Sequence, residues 1–299
     1  MLFTTDLPHP YNKVGDGPEG PEARTVADKL RATLSGKTII AADKTVKAKT
    51  AGWEFLRTPI TITTVRSYGK KVILDLSNKQ SETFHIVVSL GMTGRLQYTL
   101  GNHSHIRFQI GSATQKGILQ LLTHEFDLYF DDTRLFGNLD IVRAGDMANY
   151  FQNIGPDLLQ AALSDNTWIS KEDWLKIYRK KRPSTRAIHD LLTDQSYVSG
   201  MGWYLITDIL YYAGIHPERA NQTLTDDDWE RIRLAAHQVI RLSYAYGGFT
   251  IESFISPDGA QGVYPAAIYG KKNDSLGYVV INKSLKNGRT CHFVAEIQK

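Results

Sequence analysis

Residues 18–36 read Pro18-Glu19-Gly20-Pro21-Glu22 followed by ARTVADKLRATLSG, ending at Gly36. Val26, Leu30 and Leu34 fall four residues apart, so a helix over this stretch gathers them on one face. Pro21 and Glu22 suit its first turn, one by its fixed φ and the other by its charge at the positive end of the helix dipole. Gly36 marks the stop. Read alone, PEGPE is an ordinary proline-rich helix start. What lies on either side gives it more weight.

Upstream, residues 1–17 are polar, with two prolines and two glycines, and read as a flexible N-terminal arm. Downstream come short stretches rich in β-branched residues: KTIIAADKTV, PITITTVRSY, KKVILDL, TFHIVVSL, HIRFQI, GILQLLTH and FDLYF. Turn residues separate them, and about seven strands before residue 145 predict a β-sandwich behind one leading helix. NIGPDLL, at 153–159, closes that region. From 165 to 245 the period becomes helical in DWLKIYRKK, RAIHDLLTD, WYLITDILYYAG and DDWERIRLAAHQVIRLSYAY, with SGMG interrupting at 199–202. After Gly247-Gly248, IYGKK, GYVVINK and RTCHFVAEI read as a strand hairpin. The expected organisation is therefore α+β: arm 1–17, β-sandwich domain 18–145, linker 146–160, helical domain 161–250, and a loop with a terminal hairpin over 251–299.

A chain of 299 residues is comfortable for two packed domains. Hydrophobic residues at 42% and charged residues at 22% are ordinary for a globular protein, and a net charge of +4 accommodates a nucleic-acid partner without requiring one. The single cysteine, Cys291, excludes a disulfide framework and any cysteine-based zinc site. No apolar run is long enough to span a membrane, and the first residues lack the basic and apolar regions of a secretory signal.

Seven short motifs occur in one order: PEGPE, Gly69-Lys70, Leu90-Gly91-Met92-Thr93-Gly94, Asp132-Thr133-Arg134-Leu135-Phe136-Gly137, Gly155-Pro156-Asp157, Gly200-Met201-Gly202 and Gly288-Arg289-Thr290. Each is weak alone. Their succession, across residues 18–299, resembles the formamidopyrimidine-DNA glycosylase / endonuclease VIII family. The resemblance implies a β-sandwich, a helix–two-turn–helix domain and a hairpin finger, and the excision of oxidised bases followed by cleavage at the abasic site.

It also implies roles. Pro18 becomes the amine nucleophile at the sugar C1′; an N-terminal secondary amine titrates near about 8 and is partly free at neutral pH. Glu19 becomes the acid that moves protons at the sugar and leaving base, Glu22 a supporting carboxylate, and Lys70 and Arg289 the cations at the phosphate beside the lesion. Met92, Arg134 and Phe136 match the side chains that fill the void when a base leaves the stack. His103 and Lys181, within Lys180-Lys181-Arg182, correspond to phosphate contacts. Gly200 and Gly202 would let backbone N–H groups approach a phosphate. Without the resemblance, Lys70 reads as a surface lysine, Met92 and Phe136 as core residues, and Arg134 as a surface arginine.

Members of this family usually carry a four-cysteine zinc finger. Here Val294 and Ile297 stand where its last two cysteines would be, so the expectation is a zincless finger, with no metal and no cofactor. The implied partner is damaged double-stranded DNA, with single-stranded or bubble DNA as a further substrate. A monomer is expected, away from membranes and inside the cell, wherever the DNA is: nucleus, nucleoid or viral factory.

Three positions depart from the pattern. Gly17 precedes Pro18, making its nitrogen an amide that cannot form a Schiff base. Trp203 follows SGMG where the family has an asparagine that reaches DNA phosphate; as the DNA-binding residue of that turn it offers one N–H and a stacking face, so the grip on DNA should differ. His189 stands where formamidopyrimidine-type members carry a lysine used in purine-lesion recognition, which favours an endonuclease VIII-like member and oxidised pyrimidines. The first departure leaves two readings open: an active enzyme whose arm is removed or whose nucleophile is another amine, and a non-catalytic protein that binds lesions or abasic sites.

Overall fold

The computed structural model describes residues 17–116, 119–164, 168–179, 185–250, 255–285 and 288–299. The arm before Gly17 and the Lys180-Lys181-Arg182 cluster, including the expected phosphate contact Lys181, lie outside these residues.

Helix α1 spans Gly20–Leu34. Its N-terminus is closed by Glu22, whose carboxylate accepts the Glu19 backbone N–H at 2.9 Å. Ala23, Val26, Ala27, Leu30 and Leu34 are fully buried or nearly so, the face that the four-residue spacing predicts.

Eight strands follow: β1 Thr38–Lys44, β2 Ile60–Tyr68, β3 Lys71–Ser77, β4 Thr83–Ser89, β5 Gly94–Gln97, β6 Ser104–Lys116, β7 Leu119–Asp132 and β8 Asn138–Arg143. They form one antiparallel sheet in the order β5-β7-β6-β1-β2-β3-β4-β8. Its centre is narrow, since β1 and β2 pair only at Thr38↔Thr61 and Ile39↔Ile60. Bulges lie next to this seam, between Ile39 and Ala41 and between Ile62 and Thr64. A bulge sharpens local twist. The two four-stranded halves turn their apolar faces to one core, where Leu96, Phe108 and Phe130 from one half join Leu74, Ile86 and Val88 from the other. That is the sandwich. GILQLLTH and FDLYF, which read as two strands, fall from Leu119 onward in one strand, β7, with the first two residues of GILQLLTH outside the described ones, and the short β5 and β8 had no separate signal.

The expected linker holds two short helices, α2 Met147–Phe151 and α3 Leu158–Ala162. The first covers the outer face of the sheet, where Tyr150 and Phe151 pack on Ile73, Val87 and Val142. Helices α4 Lys171–Arg179, α5 Ile188–Leu192, α6 Trp203–Ala213 and α7 Asp226–Ala245 follow. Helix α7 opens with Thr225, whose hydroxyl accepts the Asp228 N–H at 3.1 Å while the Asp228 carboxylate accepts the Thr225 N–H at 2.9 Å.

The terminal hairpin is β9 Ile281–Ser284 paired with β10 Thr290–Phe293. IYGKK is not a strand: the Lys271 N–H closes a turn on the Ile268 carbonyl, with Gly270 at φ 71°. Ile268, Val280, Val294 and Tyr211 form a separate apolar plug, with Ile297 packed against it. These side chains offer no ligand for zinc, and among the described residues no group of three His, Cys, Asp or Glu could hold a metal. Packing holds the finger. Ile268→Ala is expected to cost about 2–5 kcal/mol of stability, and EDTA to leave the thermal midpoint unchanged, both read from melting curves.

Candidate active site

The site is assembled where the start of α1 meets the turns on either side of it. The β2–β3 turn places Gly69 at φ 56°, and its N–H donates to the Asp157 carboxylate at 2.9 Å. Asp157 also accepts the Gln160 N–H at 3.0 Å, capping α3. One buried carboxylate thus joins the sandwich to the helical half; burial pushes its carboxyl above the usual range, against the pull of those hydrogen bonds. A Cβ on Gly69 would lie 2.9 Å from the Ser199 side chain. Ser199 in turn donates its N–H to the Pro156 carbonyl at 2.8 Å, and Gly20 donates to the Gly200 carbonyl at 2.9 Å. The Gly69-Lys70, Gly155-Pro156-Asp157, SGMG and PEGPE motifs, far apart in sequence, are one knot of close backbones.

Glu19 emerges from that knot, 1% exposed. Its carboxylate accepts the Gly202 N–H at 2.7 Å and the Tyr204 N–H at 3.1 Å, at the N-terminus of α6. Unpaired donors at a helix start fix an anion well. A Cβ on Gly202 would lie 2.2 Å from the Glu19 carboxylate and 2.6 Å from the Lys70 Nζ, so the ammonium and the carboxylate share one small space. Gly202→Ala is expected to displace both groups and lower any damage-dependent strand cutting by at least roughly tenfold, measured on a lesion-bearing duplex, with folding checked by circular dichroism.

Pro18, Glu19, Lys70, Trp203 and Arg289 line a cleft of about 140 Å³ together with Gly17 and Gly91. A second cavity of about 250 Å³ on the other side of Pro18 and Lys70 is lined by Tyr68, Lys71 and Ser89 among others. Lys71, which the sequence did not single out, donates to the Ser89 hydroxyl at 2.5 Å, and burial holds its ammonium below the usual range. Gly17 is pressed against the 91–92 backbone: a Cβ there would fall 2.1 Å from the Gly91 carbonyl oxygen. The peptide bond before Pro18 therefore lies in the cleft itself.

Glu22 does not line the cleft. It is fully buried, accepting the Glu19 N–H, the Phe249 N–H at 2.6 Å and the Tyr204 hydroxyl at 2.8 Å. Burial raises its carboxyl above the usual range, opposed by these donors. It holds the Glu19 backbone, α6 and the chain after α7 in register. Tyr204 carried no signal in the sequence, where it sits in an apolar helix stretch.

Met92 lies on the loop before β5, and Arg134 and Phe136 on the loop before β8. The loops are in backbone contact, since a Cβ on Gly91 would lie 2.7 Å from the Phe136 carbonyl carbon. Phe136 is 54% exposed, and the Arg134 guanidinium lies 4.7 Å from its ring centroid. Leu135 between them has φ 55°, a left-handed backbone that is uncommon outside glycine. His103 is exposed on the β5–β6 loop, its N–H donating to the Asp131 carboxylate at 3.2 Å.

The turn 200–203 differs from expectation. The Gly200 N–H donates to the Gln195 side chain at 2.9 Å and the Gly202 N–H to Glu19, so both face inward. Trp203 is 4% exposed, and its one N–H donates to the Thr290 carbonyl at 2.7 Å. These three residues are committed to the protein itself, because the turn backs onto PEGPE and the hairpin. His189 is also buried, edge-on to the Trp203 ring at 5.3 Å.

A curled sandwich, a helical domain and a hairpin meeting at a proline–glutamate–lysine–arginine cleft define a base-excision DNA glycosylase scaffold. Residues 17–139 match the formamidopyrimidine-DNA glycosylase N-terminal domain and residues 163–255 its H2TH domain. The chain belongs to the formamidopyrimidine-DNA glycosylase family. It is 28% identical over 297 residues to the formamidopyrimidine-DNA glycosylase of an Exiguobacterium species, covering 94% of this chain and 99% of that one. The enzyme of Carboxydothermus hydrogenoformans is 27% identical over 298 residues, with 94% and 100% covered. Among solved structures, the MutM (Fpg) protein of Thermus thermophilus superimposes with a TM-score of 0.79 at 26% identity, over 94% of this chain and 98% of that one. Lactococcus lactis Fpg, solved with DNA containing an oxidised pyrimidine, gives 0.77 at 22% identity, over 94% and 100%, and shares the fold.

Proposed function

We propose that the protein excises oxidised bases from DNA, pyrimidines favoured, and then cuts the strand at the resulting abasic site. The single observation that carries this reading is the cleft in which Pro18, Glu19, Lys70 and Arg289 meet. A free Pro18 amine attacks C1′ of the damaged nucleotide. The base leaves with its bonding electrons and takes a proton by way of Glu19; the proline nitrogen gives up its proton, and its lone pair then expels O4′, which is protonated as the sugar ring opens, leaving an iminium at C1′. Loss of a C2′ proton expels the 3′ phosphate, and a second elimination expels the 5′ phosphate. Lys70 and Arg289 neutralise the departing phosphates. Met92, Arg134 and Phe136 prop the duplex, and His103, with Lys181, adds backbone contacts. The preference for pyrimidines rests on His189, which stands where formamidopyrimidine-type relatives carry a lysine used on purine lesions; burial pushes its imidazole below the usual range. Such a protein works inside the cell, wherever the DNA is.

This chemistry needs the bond between Gly17 and Pro18 to be absent or another amine to act. A second reading, a lesion-binding protein without catalysis, is favoured by that bond alone. The test is a nicking assay on duplexes carrying one oxidised pyrimidine, one oxidised purine or no lesion, using the full chain and a chain beginning at Pro18. Lesion-dependent base release with β/δ-elimination products is the expected result. Selective binding with no product from either chain supports the second reading.

A further inference from the structure

The apolar plug around Val294 secures the finger, but Arg289 leaves β10 at the other end and must still be set against Glu19. The turn entering α6 does this in three consecutive residues. The Gly202 and Tyr204 N–H groups hold the Glu19 carboxylate at 2.7 and 3.1 Å. Trp203, between them, donates its indole N–H to the Thr290 carbonyl at 2.7 Å. The Arg289 guanidinium lies over the face of the same ring, 5.1 Å from its centroid. His189 also abuts the ring edge-on, 5.3 Å away, and the indole is almost wholly buried.

We infer that Trp203 is a positioning residue that fixes Arg289 relative to Glu19, by an N–H anchor on the hairpin and a cation–π seat beneath the guanidinium. The backbone of the turn grips the proton-transfer carboxylate while its side chain grips the phosphate-facing cation. Their separation is thereby set by one peptide unit, and no metal is needed. The ring is not a platform for a flipped base, because Arg289 occupies its face. The inference rests on the proposed function for what Arg289 meets in DNA; the coupling between Trp203 and Arg289 does not.

The experiment is a double-mutant cycle in the chain beginning at Pro18, with Trp203→Phe, Arg289→Ala and the pair, read as kcat/KM for nicking a preformed abasic site. Phenylalanine keeps an aromatic face but lacks the N–H. Trp203→Phe is expected to lower nicking roughly tenfold, and the double variant to fall within about twofold of Arg289→Ala alone. Losses that multiply, or a Trp203→Phe variant equal to the parent, overturn the inference. A merely structural tryptophan would slow the Arg289→Ala background as much as the parent and lower its thermal midpoint, which overturns it too. Should the parent not nick at all, the proposed function fails, and the same cycle is read as affinity for a duplex with a tetrahydrofuran abasic analogue. Non-additive affinities then support the coupling and additive ones overturn it.

Discussion

The chain beginning at Pro18 is expected to form a covalent adduct with abasic-site DNA under borohydride, and the full chain roughly a thousandfold less. The difference follows from one bond. In an amide the nitrogen lone pair is delocalised into the carbonyl, and a proline amide has no proton to lose, so no iminium can form. The Gly17 peptide also lines the cleft, pressed against the Gly91 carbonyl. Removing residues through Gly17 both frees the amine and opens the space. An equal yield of adduct from the full chain would move the nucleophile elsewhere, and Lys70→Arg in that chain would then abolish trapping if the lysine had taken over.

Glu19→Gln is the second large effect. Base excision is expected to fall by about 10²–10⁴-fold, the usual weight of a positioned general acid. Nicking of a preformed abasic site should fall less, since no base remains to be protonated. The substitution is nearly isosteric, but the carboxylate accepts two backbone N–H groups. An amide can accept only on its oxygen, so one donor loses its partner at a cost of about 1–3 kcal/mol. A loss of excision with lesion-DNA affinity kept within a few fold assigns Glu19 to the chemistry. Equal losses in excision, nicking and affinity would assign it to holding the turn.

Much of the scaffold was legible because its signals are local. The four-residue spacing of Val26, Leu30 and Leu34 gave α1, and alternation gave β1 to β4. The four-residue β5 had too little length for alternation to register, and the strand read as ending at His124 runs on through the bulge between the Gly111↔His124 and Ile110↔Phe126 pairs. The cleft was legible only through the order of the motifs, since nothing local marks Lys70 or Arg289 as neighbours of Pro18. Sequence assigned the right glycines to the 200–202 turn but the wrong reason. It could not show that their N–H groups face Gln195 and Glu19, because that depends on which surface the turn backs onto. Tyr204 and the joining role of Asp157 were invisible for the same cause: a buried polar group announces itself only through its partners, here Glu22 at a separation of 182 residues and Gly69 at 88.

Gly20, Gly69 and Gly200 come from three separate segments, yet a Cβ on Gly200 would lie only 3.8 Å from the α-carbons of the other two. A Cβ on Gly20 would lie 3.0 Å from the Gly200 carbonyl oxygen and one on Gly69 2.9 Å from the Ser199 side chain, while Gly200 needs glycine for its φ of 101°. Neither half of the molecule can drift in sequence at this point without the other, so a hybrid joining the sandwich of one relative to the helices of another inherits a working centre only when all three spots stay bare.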